Sequence, residues 1–262
     1  MSYKDWIMRL RSKADRRRRK LAQESQRALR EQVGFQLTLA RLEDRRVLSV
    51  SVGVEAGVVT FQGAGEASDS LSLSVDSEGN LQYSCDGGNA WETDLDAGDS
   101  VIELQVQDIG KVQFYGGAGD DTLTVDFGPG SPIPTAGLFF DGGEGNDALI
   151  LAGGETFSTV THTFTSNSGG CVDISDQGTI SYTGLDPITD NLDADQRVLE
   201  FSGLNETITV SEAGGFTTVD SDVGGETLTF VNPQSSLTLR GGGGDDVFEV
   251  NSLPNIAIVT ID

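Results

Sequence analysis

The stretch that decides the fold reads YGGAGDDTLTVDF and spans residues 115–127. Three glycines and two aspartates come directly before a run in which apolar and polar residues alternate. Such alternation is typical of a half-buried β-strand. Glycine readily adopts the positive φ angles that tight turns need. The stretch therefore predicts a turn followed at once by a strand.

The same unit occurs three times without gaps. The copies are KVQFYGGAGDDTLTVD from Lys111, AGLFFDGGEGNDALILA from Ala136 and SLTLRGGGGDDVFEVN from Ser236, and weaker versions begin at Gly203 and Val223. Each copy contains a strand, a Gly-Gly-x-Gly turn with one or two acids, and a second strand. Internal repetition of this kind is typical of proteins built from stacked structural repeats.

The spacing of the copies favours a parallel β-solenoid. Gly116 and Gly142 are 26 residues apart, which fits one coil, and Gly142 and Gly241 are 99 residues apart, close to four such coils. The final stretch IAIVTID, residues 256–262, matches the strand before Gly142, so we expect the repeats to continue beyond it. We expect an all-β domain with coils about 4.8 Å apart. An antiparallel β-sandwich has similar short strands and turns and stays open as an alternative.

Charge divides the chain into a basic leader, residues 1–46, and an acidic β-repeat domain, residues 47–262. Of the 17 Lys and Arg residues, 14 lie in the leader beside six of the 41 acids, which gives it a net charge of +8. The domain holds the other three basic residues and 35 acids, a net charge of −32. Such a domain repels nucleic acid and attracts multivalent cations. Its basic residues are Lys111, Arg197 and Arg240.

The leader has a helix-favouring composition over residues 4–31 and a basic cluster, DRRRRK, at residues 15–20. A secretory signal peptide would continue with an apolar stretch, whereas LAQESQRALREQ follows here. The composition fits a partly helical or disordered basic arm, an export leader or a segment that contacts acidic lipid. No apolar run in the chain approaches the roughly 18–20 residues of a membrane span.

Residues 42–49, LEDRRVLS, resemble the LEPR-XLL motif found near the start of many large bacterial surface proteins, after an arginine-rich leader. Asp44 stands where that motif has proline, and Val47 replaces its first terminal leucine. The resemblance implies an extracellular or cell-surface location in the cell envelope. The matching residues are Leu42, Glu43, Arg45 and Leu48.

The turns GGAGDDTLT, GGEGNDALI and GGGGDDVFE match the nonapeptide Gly-Gly-x-Gly-x-Asp-x-U-x, in which U is a large apolar residue. They resemble the RTX, or hemolysin-type calcium-binding, repeat. The resemblance implies Ca²⁺ held by aspartate carboxylates and glycine carbonyls, because calcium prefers hard oxygen ligands. We expect the first two turns to stack and share an ion, and the third to need a partner beyond residue 262. The implied metal residues are Gly116, Gly117, Gly119, Asp121, Gly142, Gly143, Gly145, Asp147, Gly241, Gly242, Gly244 and Asp246.

A simpler interpretation of these turns needs no metal. Asp and Asn side chains favour turns because they bond nearby backbone groups. In this interpretation Asp120, Asn146 and Asp245 cap their own turns, and the following aspartates face solvent. Cys85 and Cys171, the two cysteines, are too few for a disulfide framework, and their spacing leaves open whether they pair.

No motif in the sequence predicts catalysis. The one histidine, His162, lies in the alternating run TVTHTFT and is expected on a strand face, without a patterned base or nucleophile beside it. We therefore expect a non-catalytic structural or adhesive segment of a large exported bacterial surface protein, whose partners are calcium and other surface components or polysaccharide. The alternative is a polysaccharide-active β-helix enzyme, a lyase or hydrolase. The aromatic residues available to stack on sugars are Trp91, Tyr83, Tyr115 and Tyr182.

Overall fold

A computed structural model of the chain describes residues 50–262 except positions 97, 99, 167, 224 and 225. The predicted basic leader and the LEDRRVLS motif therefore lie outside the described residues. Within them the chain forms strands joined by connections of different lengths, and the longest connection, residues 85–110, contains a three-residue 3₁₀ helix, Val106–Asp108. Among these residues no helix has the length and apolar character that a membrane crossing needs.

Alternating apolar and polar residues form the strands, as the sequence predicts. Most strands bury every second side chain, as residues 147–152 do, where Asp147, Leu149 and Leu151 are buried. In chain order the described strands are β1 (Val50–Glu55), β2 (Val58–Gly63), β3 (Ser70–Val75), β4 (Leu81–Ser84), β5 (Lys111–Ala118), β6 (Thr122–Asp126), β7 (Leu138–Glu144), β8 (Asp147–Ala152), β9 (Phe157–Ser166), β10 (Gly169–Ile174), β11 (Gly178–Thr183), β12 (Leu185–Asp190), β13 (Ala194–Glu200), β14 (Thr207–Ala213), β15 (Phe216–Ser221), β16 (Leu228–Val231), β17 (Ser236–Arg240), β18 (Val247–Val250) and β19 (Ile258–Ile261).

The strands form two large sheets. The first sheet has the order β1-β2-β5-β7-β11-β10-β9-β13-β17-β19, and the second has the order β18-β14-β15-β16-β12-β8-β6-β3-β4. Neighbouring strands are mostly parallel. The all-β prediction is confirmed. The prevalence of parallel pairs differs from an antiparallel sandwich, in which each strand runs opposite to its neighbours.

The first repeats stack as predicted. The chain passes from β5 in the first sheet to β6 in the second, and then from β7 to β8 in the same order. β5 pairs in parallel with β7, and Val112 lies opposite Leu138. β6 pairs in parallel with β8, and Leu123 lies opposite Leu149. Each pair of opposed residues is 26 positions apart, so this spacing does correspond to one step of the stack.

The 99 residues between Gly142 and Gly241 are not four parallel coils, and that expectation was wrong. They contain two antiparallel three-stranded meanders, β9–β11 in the first sheet and β14–β16 in the second. Each meander fills three adjacent positions of its sheet. A period of two is common to parallel and antiparallel strands, so alternation alone does not distinguish a meander from a coil.

The core lies between the two sheets, and its apolar side chains form columns along the stack. In the first sheet Phe61 lies opposite Phe114, Phe114 opposite Phe140, and Phe140 opposite Tyr182. All four are buried. The rings of Phe114 and Phe140 stack with centroids 4.9 Å apart. Burial of one such side chain contributes roughly 1.5–3 kcal/mol.

The fold also bears on the C-terminal strand, which the sequence predicts, and on the cysteine pairing, which the sequence leaves open. The strand expected near the C-terminal residues is confirmed, since β19 pairs in parallel with β17. The two cysteines do not pair: Cys85 and Cys171 are both free and half-buried.

Candidate functional site

The Gly-Asp turns lie where the chain crosses from the first sheet to the second. One turn joins β5 to β6, and the next joins β7 to β8. The register between β5 and β7 continues into the turns, where Gly117 lies opposite Gly143. Asp121 and Asp147 therefore occupy equivalent places on adjacent levels. The structure brings together the two turns that the sequence predicted would stack.

A row of buried carboxylates links these levels. The Asp121 N–H donates to Asp147 Oδ1 at 2.7 Å, and the Asp69 N–H donates to Asp121 Oδ1 at 2.7 Å. The Ala64 N–H in turn donates to Asp69 Oδ2 at 2.6 Å. Asp69, Asp121 and Asp147, which we name the inner carboxylate row, are each at most 2% exposed. Each of the two Asp-to-Asp bonds joins one level to the next.

Asp69 was missed by the sequence analysis. Ser70 lies opposite Thr122, so Asp69 occupies the same place in its turn as Asp121. Its turn, GAGEASD at residues 63–69, is one residue longer than the GGAGDD turn, and an ungapped comparison does not align the two. The signal was present in the stretches FQG, residues 61–63, and FYG, residues 114–116. Phe61 aligns there with Phe114, and Gly63 aligns with Gly116.

The first glycine of each turn is required because the buried carboxylate packs against it. A methyl group on Gly116 would come within 2.3 Å of Asp121 Oδ2 and 2.6 Å of the Gly142 carbonyl oxygen. A methyl group on Gly142 would come within 2.5 Å of Asp147 Oδ2. The five-residue separation of glycine and aspartate is thus explained by packing within one turn. Other glycines of these turns adopt positive φ, namely Gly117, Gly119, Gly143 and Gly145.

An outer row of exposed polar side chains runs beside the inner one. Asp120 Oδ1 accepts the Asn146 backbone N–H at 3.0 Å and its side-chain amide at 3.2 Å. The Asp120 N–H donates to Ser68 Oγ at 3.1 Å. The expectation that the second aspartates face solvent was wrong, because Asp121 and Asp147 turn inward to accept amide protons. The first residue of each acidic pair lies outside, where it joins neighbouring levels.

The third turn also differs from its prediction, because it has a partner within the chain. The Glu206 N–H donates to Asp246 Oδ1 at 3.0 Å, and the Asp245 N–H donates to Asn205 Oδ1 at 2.9 Å. The weak repeat at Gly203 is thus the neighbouring level. It lies 40 residues earlier instead of 26, because the β14–β16 meander intervenes and leaves β14 beside β18. The glycines of this turn pack on the same segment, with Gly242 and Gly244 against backbone oxygens of residues 201–204, while Gly241 packs against Asp246.

Burial is the main cause of the raised pKa values in the inner carboxylate row. It raises the pKa of Asp121 to about 6, and the nearby charges of Asp147 and Asp69 add to this effect, although the Asp69 N–H opposes it. Burial likewise raises the pKa of Asp147. One oxygen of each carboxylate has no hydrogen-bond partner among the described residues: Asp69 Oδ1, Asp121 Oδ2 and Asp147 Oδ2.

These oxygens suit calcium in chemical type, but they are few. Calcium takes about six to eight oxygen ligands at roughly 2.3–2.6 Å. In the inner row one oxygen each of Asp121 and Asp147 already accepts an amide proton. No group of three or more His, Cys, Asp or Glu side chains among the described residues is arranged to hold a metal. Calcium binding at these turns stays a prediction.

A second buried polar cluster lies in the core and was not foreseen. His162 lies on β9 with its side chain inward, as a strand-face residue, and its Nε2 is 2.9 Å from Asp190 Oδ2. Arg197 bonds both carboxylate oxygens of Asp190 and donates to the Leu192 carbonyl at 2.5 Å. The three side chains of the cluster are fully buried. The cluster therefore has no exposed surface at which a substrate would meet it.

The charges of this cluster compensate one another. Burial disfavours the Asp190 carboxylate, but the Arg197 charge and the His162 contact outweigh burial and lower the pKa of Asp190 to about 2. Burial lowers the pKa of His162 despite its contact with Asp190. A charged Arg–Asp pair beside a neutral histidine fits a structural element of the core.

The aromatic residues suggested for sugar stacking do not form one surface. Tyr83 and Tyr182 are buried, Tyr115 packs edge-on against Phe139, and Trp91 is 36% exposed. An open pocket of about 480 Å³ lies at the opposite ends of the strands from the Gly-Asp turns, and none of those four residues lines it. Its lining includes Phe127, Gly154, Glu155, Phe157 and Asp176.

No protein-family profile, no curated protein and no solved structure matches this chain.

Proposed function

We propose that this chain is a non-catalytic structural segment of a large exported bacterial surface protein, in which coils stack into an acidic, solenoid-like scaffold. The observation that carries the proposal is the inner carboxylate row. Hydrogen bonds of 2.7 Å run from Asp69 to Asp121 and from Asp121 to Asp147, so the repeated residues of the sequence bind the repeats to each other. The residues that recur most closely between the repeats therefore hold the stack together.

The geometry of the row suits this role. Each carboxylate of the row accepts a backbone amide proton, and burial protects these hydrogen bonds from competition by water. Removal of one carboxylate leaves a buried amide without an acceptor, which costs about 1–3 kcal/mol in addition to the lost bond. A stack joined in this way at successive levels resists local opening at the turns.

The charge of the domain supports a location at the cell surface and an adhesive or spacing role. A net charge of −32 over residues 47–262 keeps the scaffold soluble and disfavours non-specific contact with other polyanions. We propose surface components or polysaccharide as its partners, in line with the resemblance of residues 42–49 to the LEPR-XLL motif. The polysaccharide-active enzyme is the weaker alternative, because the aromatic candidates do not converge on the open pocket.

Calcium binding at the turns 116–121 and 142–147 is a second candidate function. The observation that favours it is the pair of buried oxygens without partners, Asp121 Oδ2 and Asp147 Oδ2. They lie on adjacent levels beside glycine carbonyl oxygens, which are also calcium ligands in proteins. A bound ion would draw both turns together and would offset the repulsion between their carboxylates.

The scaffold proposal is tested by urea unfolding of the full chain with Asp121→Ala and, as a matched control, Asp120→Ala. The buried substitution is expected to lower the free energy of unfolding by about 2–4 kcal/mol, since it leaves a buried amide unpaired. The exposed one is expected to lower it by less than about 1 kcal/mol. Equal effects would contradict the role of the inner row. Release of unsaturated or reducing products from acidic polysaccharides by the wild-type chain would instead favour the enzyme.

A further inference from the structure

A shallow cavity of about 480 Å³ lies on the outer side of the first sheet, over β1 and β2. Gly53 leaves room for it, because a methyl group added there would meet no atom within 4 Å. Gly53 lies opposite Thr60 in the register of the two strands, and Ser51 lies opposite Gln62. These residues alternate along the strands with core residues such as Phe61, so they face away from the core. The outward side chains around the cavity are polar, namely Ser51, Glu55, Thr60 and Gln62.

Two aromatic rings continue this outer side on the neighbouring strands. Tyr115 on β5 lies opposite Gln62, and Phe139 on β7 lies opposite Gln113. Both rings are partly exposed. Their centroids are 5.9 Å apart in an edge-to-face arrangement, and Lys111 Nζ lies 5.3 Å from the centroid of Phe139. The two rings therefore support each other beside the cavity. We name this surface the outer patch, and it consists of Ser51, Gly53, Thr60, Gln62, Gln113, Tyr115 and Phe139.

The outer patch is elongated across the strands. One row over four adjacent strands, β1, β2, β5 and β7, is formed by Gly53, Thr60, Gln113 and Phe139. Since neighbouring strands lie about 4.8 Å apart, the row is about 14 Å long. The Thr60 hydroxyl and the Gln113 amide form no side-chain hydrogen bond with another described residue. Both groups are therefore accessible to a ligand that lies along the row.

The charge of the outer patch differs from that of the domain. The two central strands, β2 and β5, carry Lys111 and no acidic residue, although the domain of residues 47–262 has a net charge of −32. The wider field of the domain still repels a polyanion, so the patch suits a neutral ligand. A protein partner would need a central cluster of buried apolar anchors, whereas the two rings here lie among amides and hydroxyls.

We propose that the outer patch binds a neutral polysaccharide, which lies across β1, β2, β5 and β7. One face of a sugar ring consists of C–H groups, which pack on the electron-rich face of an aromatic ring such as that of Tyr115. The hydroxyls at the edge of the sugar ring form hydrogen bonds with the amides and hydroxyls of the row, and the cavity over Gly53 holds a neighbouring sugar. This inference rests on the proposed function and deepens it, because it names the surface that meets the polysaccharide and the charge class of that partner. It involves no cleavage of the polysaccharide.

The test is affinity electrophoresis of the full chain in native gels that contain hydroxyethyl cellulose, xyloglucan or galactomannan, with alginate as the polyanion for comparison. At least one neutral polysaccharide is expected to retard the wild-type chain, and alginate is not. Tyr115→Ala removes a ring of the patch, and Gly53→Gln fills the cavity without meeting other atoms at its Cβ. Each is expected to weaken the retardation at least about tenfold. Trp91→Ala removes a ring that is 36% exposed outside the patch, and this control is expected to bind like wild type.

Thermal unfolding of each variant distinguishes a lost binding surface from a lost fold, and Gly53→Gln is expected to unfold cooperatively like wild type. A wild-type chain that none of the three neutral polysaccharides retards would overturn the proposal. Retardation that survives in both Tyr115→Ala and Gly53→Gln would also overturn it, since a different surface would then bind the polysaccharide. Retardation by alginate alone would contradict the neutral class of the ligand. None of these results changes the unfolding comparison of Asp121→Ala with Asp120→Ala, so failure of this inference is distinguishable from failure of the scaffold proposal.

Discussion

The backbone amide of Asp121 donates to the carboxylate of Asp147 at 2.7 Å, between adjacent levels of the stack. This bond joins equivalent residues of two sequence repeats. It gives a physical reason for the repeat itself, because an aspartate at this place serves both as the acceptor for one neighbour and as the donor to the other.

The first prediction concerns the glycine beside the carboxylate. Gly116→Ala places a methyl group within 2.3 Å of Asp121 Oδ2 and 2.6 Å of the Gly142 carbonyl oxygen. Since the carbonyl belongs to backbone that cannot easily move, we expect a loss of about 3 kcal/mol or more in the free energy of unfolding. Urea unfolding followed by circular dichroism measures it.

Gly53→Ala is the control for this substitution. Gly53 also lies in a strand, β1, but a methyl group there meets no atom within 4 Å. The free energy of unfolding is expected to change by no more than about 1 kcal/mol, because alanine meets no atom at this position and restricts only the unfolded chain. Comparable losses in the two variants would show that the carboxylate does not crowd Gly116.

The second prediction concerns the pH dependence of the inner row. The pKa of Asp121 is raised from 3.8 to about 6 in the folded chain, so the folded state binds more protons than the unfolded state between these values. The contribution of Asp121 to stability is therefore fully present below pH 3.8 and is lost as the pH rises through 6. Asp121→Asn does not titrate and isolates this contribution.

The measurement compares the free energy of unfolding of wild type and Asp121→Asn from acid to neutral pH. The stability of wild type relative to the variant is expected to fall as the pH rises from 4 toward 7. The difference between the two proteins is needed because other groups titrate as well. Burial raises the pKa of Glu226 to about 7, which acts in the same direction, whereas the lowered pKa of His162 acts in the opposite one. A difference that stays constant or grows with pH would contradict the prediction.

The third prediction concerns the buried pair in the core. Arg197→Met keeps a long apolar side chain but leaves the Asp190 carboxylate buried without its cation, which is expected to cost about 3–5 kcal/mol. Arg240→Met breaks an exposed pair with Glu200, whose side chains are 49% and 39% exposed, and is expected to cost less than about 1 kcal/mol. Thermal or urea unfolding compares the two. If both variants lose equally little, the buried cluster does not stabilise the core.

The fourth prediction concerns calcium. If the unpartnered oxygens of Asp121 and Asp147 bind the ion, titration of calcium to millimolar levels raises the unfolding temperature of the wild-type chain, because a ligand that binds only the folded state stabilises it. Asp121→Asn with Asp147→Asn keeps an acceptor for each amide and removes the charges, so it is expected to fold and to lose the shift. The same titration with magnesium is a control for general charge screening. An equal shift with both ions, or none with calcium, would leave the turns with a structural role alone.

Sequence patterns predicted the strands and the stacking of the first two turns well. Alternation of apolar and polar residues determines which side of a strand is buried, and the 26-residue spacing of Gly116 and Gly142 fixes one step of the stack. The inward orientation of Asp121 was not predictable in this way. A carboxylate next to three glycines is equally compatible with a solvated turn, a metal ligand and a buried acceptor, and the choice depends on the amide of the neighbouring level.

The meanders and the core cluster were missed for a different physical reason. Strands β9–β11 alternate like the others, and glycines accompany their turns as they do elsewhere in the chain, with Gly169 at the start of β10 and Gly178 at the start of β11, so neither signal distinguishes a meander from a coil. Arg197 and Asp190 are separated by seven positions and meet only because β12 and β13 belong to different sheets. An arginine in an acidic domain is more often exposed than buried, and the partners of Arg197 were not visible in the sequence.

The central claim is that the inner carboxylates hold the coils together through the amides of neighbouring levels, and amide hydrogen exchange measured by NMR tests it most directly. We expect the Asp121 amide to exchange slowly in wild type and much faster in Asp147→Ala, with no such change in a control variant that alters the exposed outer row, Asn146→Ala. Slow exchange of the Asp121 amide in both wild type and Asp147→Ala would contradict this claim. Fast exchange already in wild type would contradict it as well.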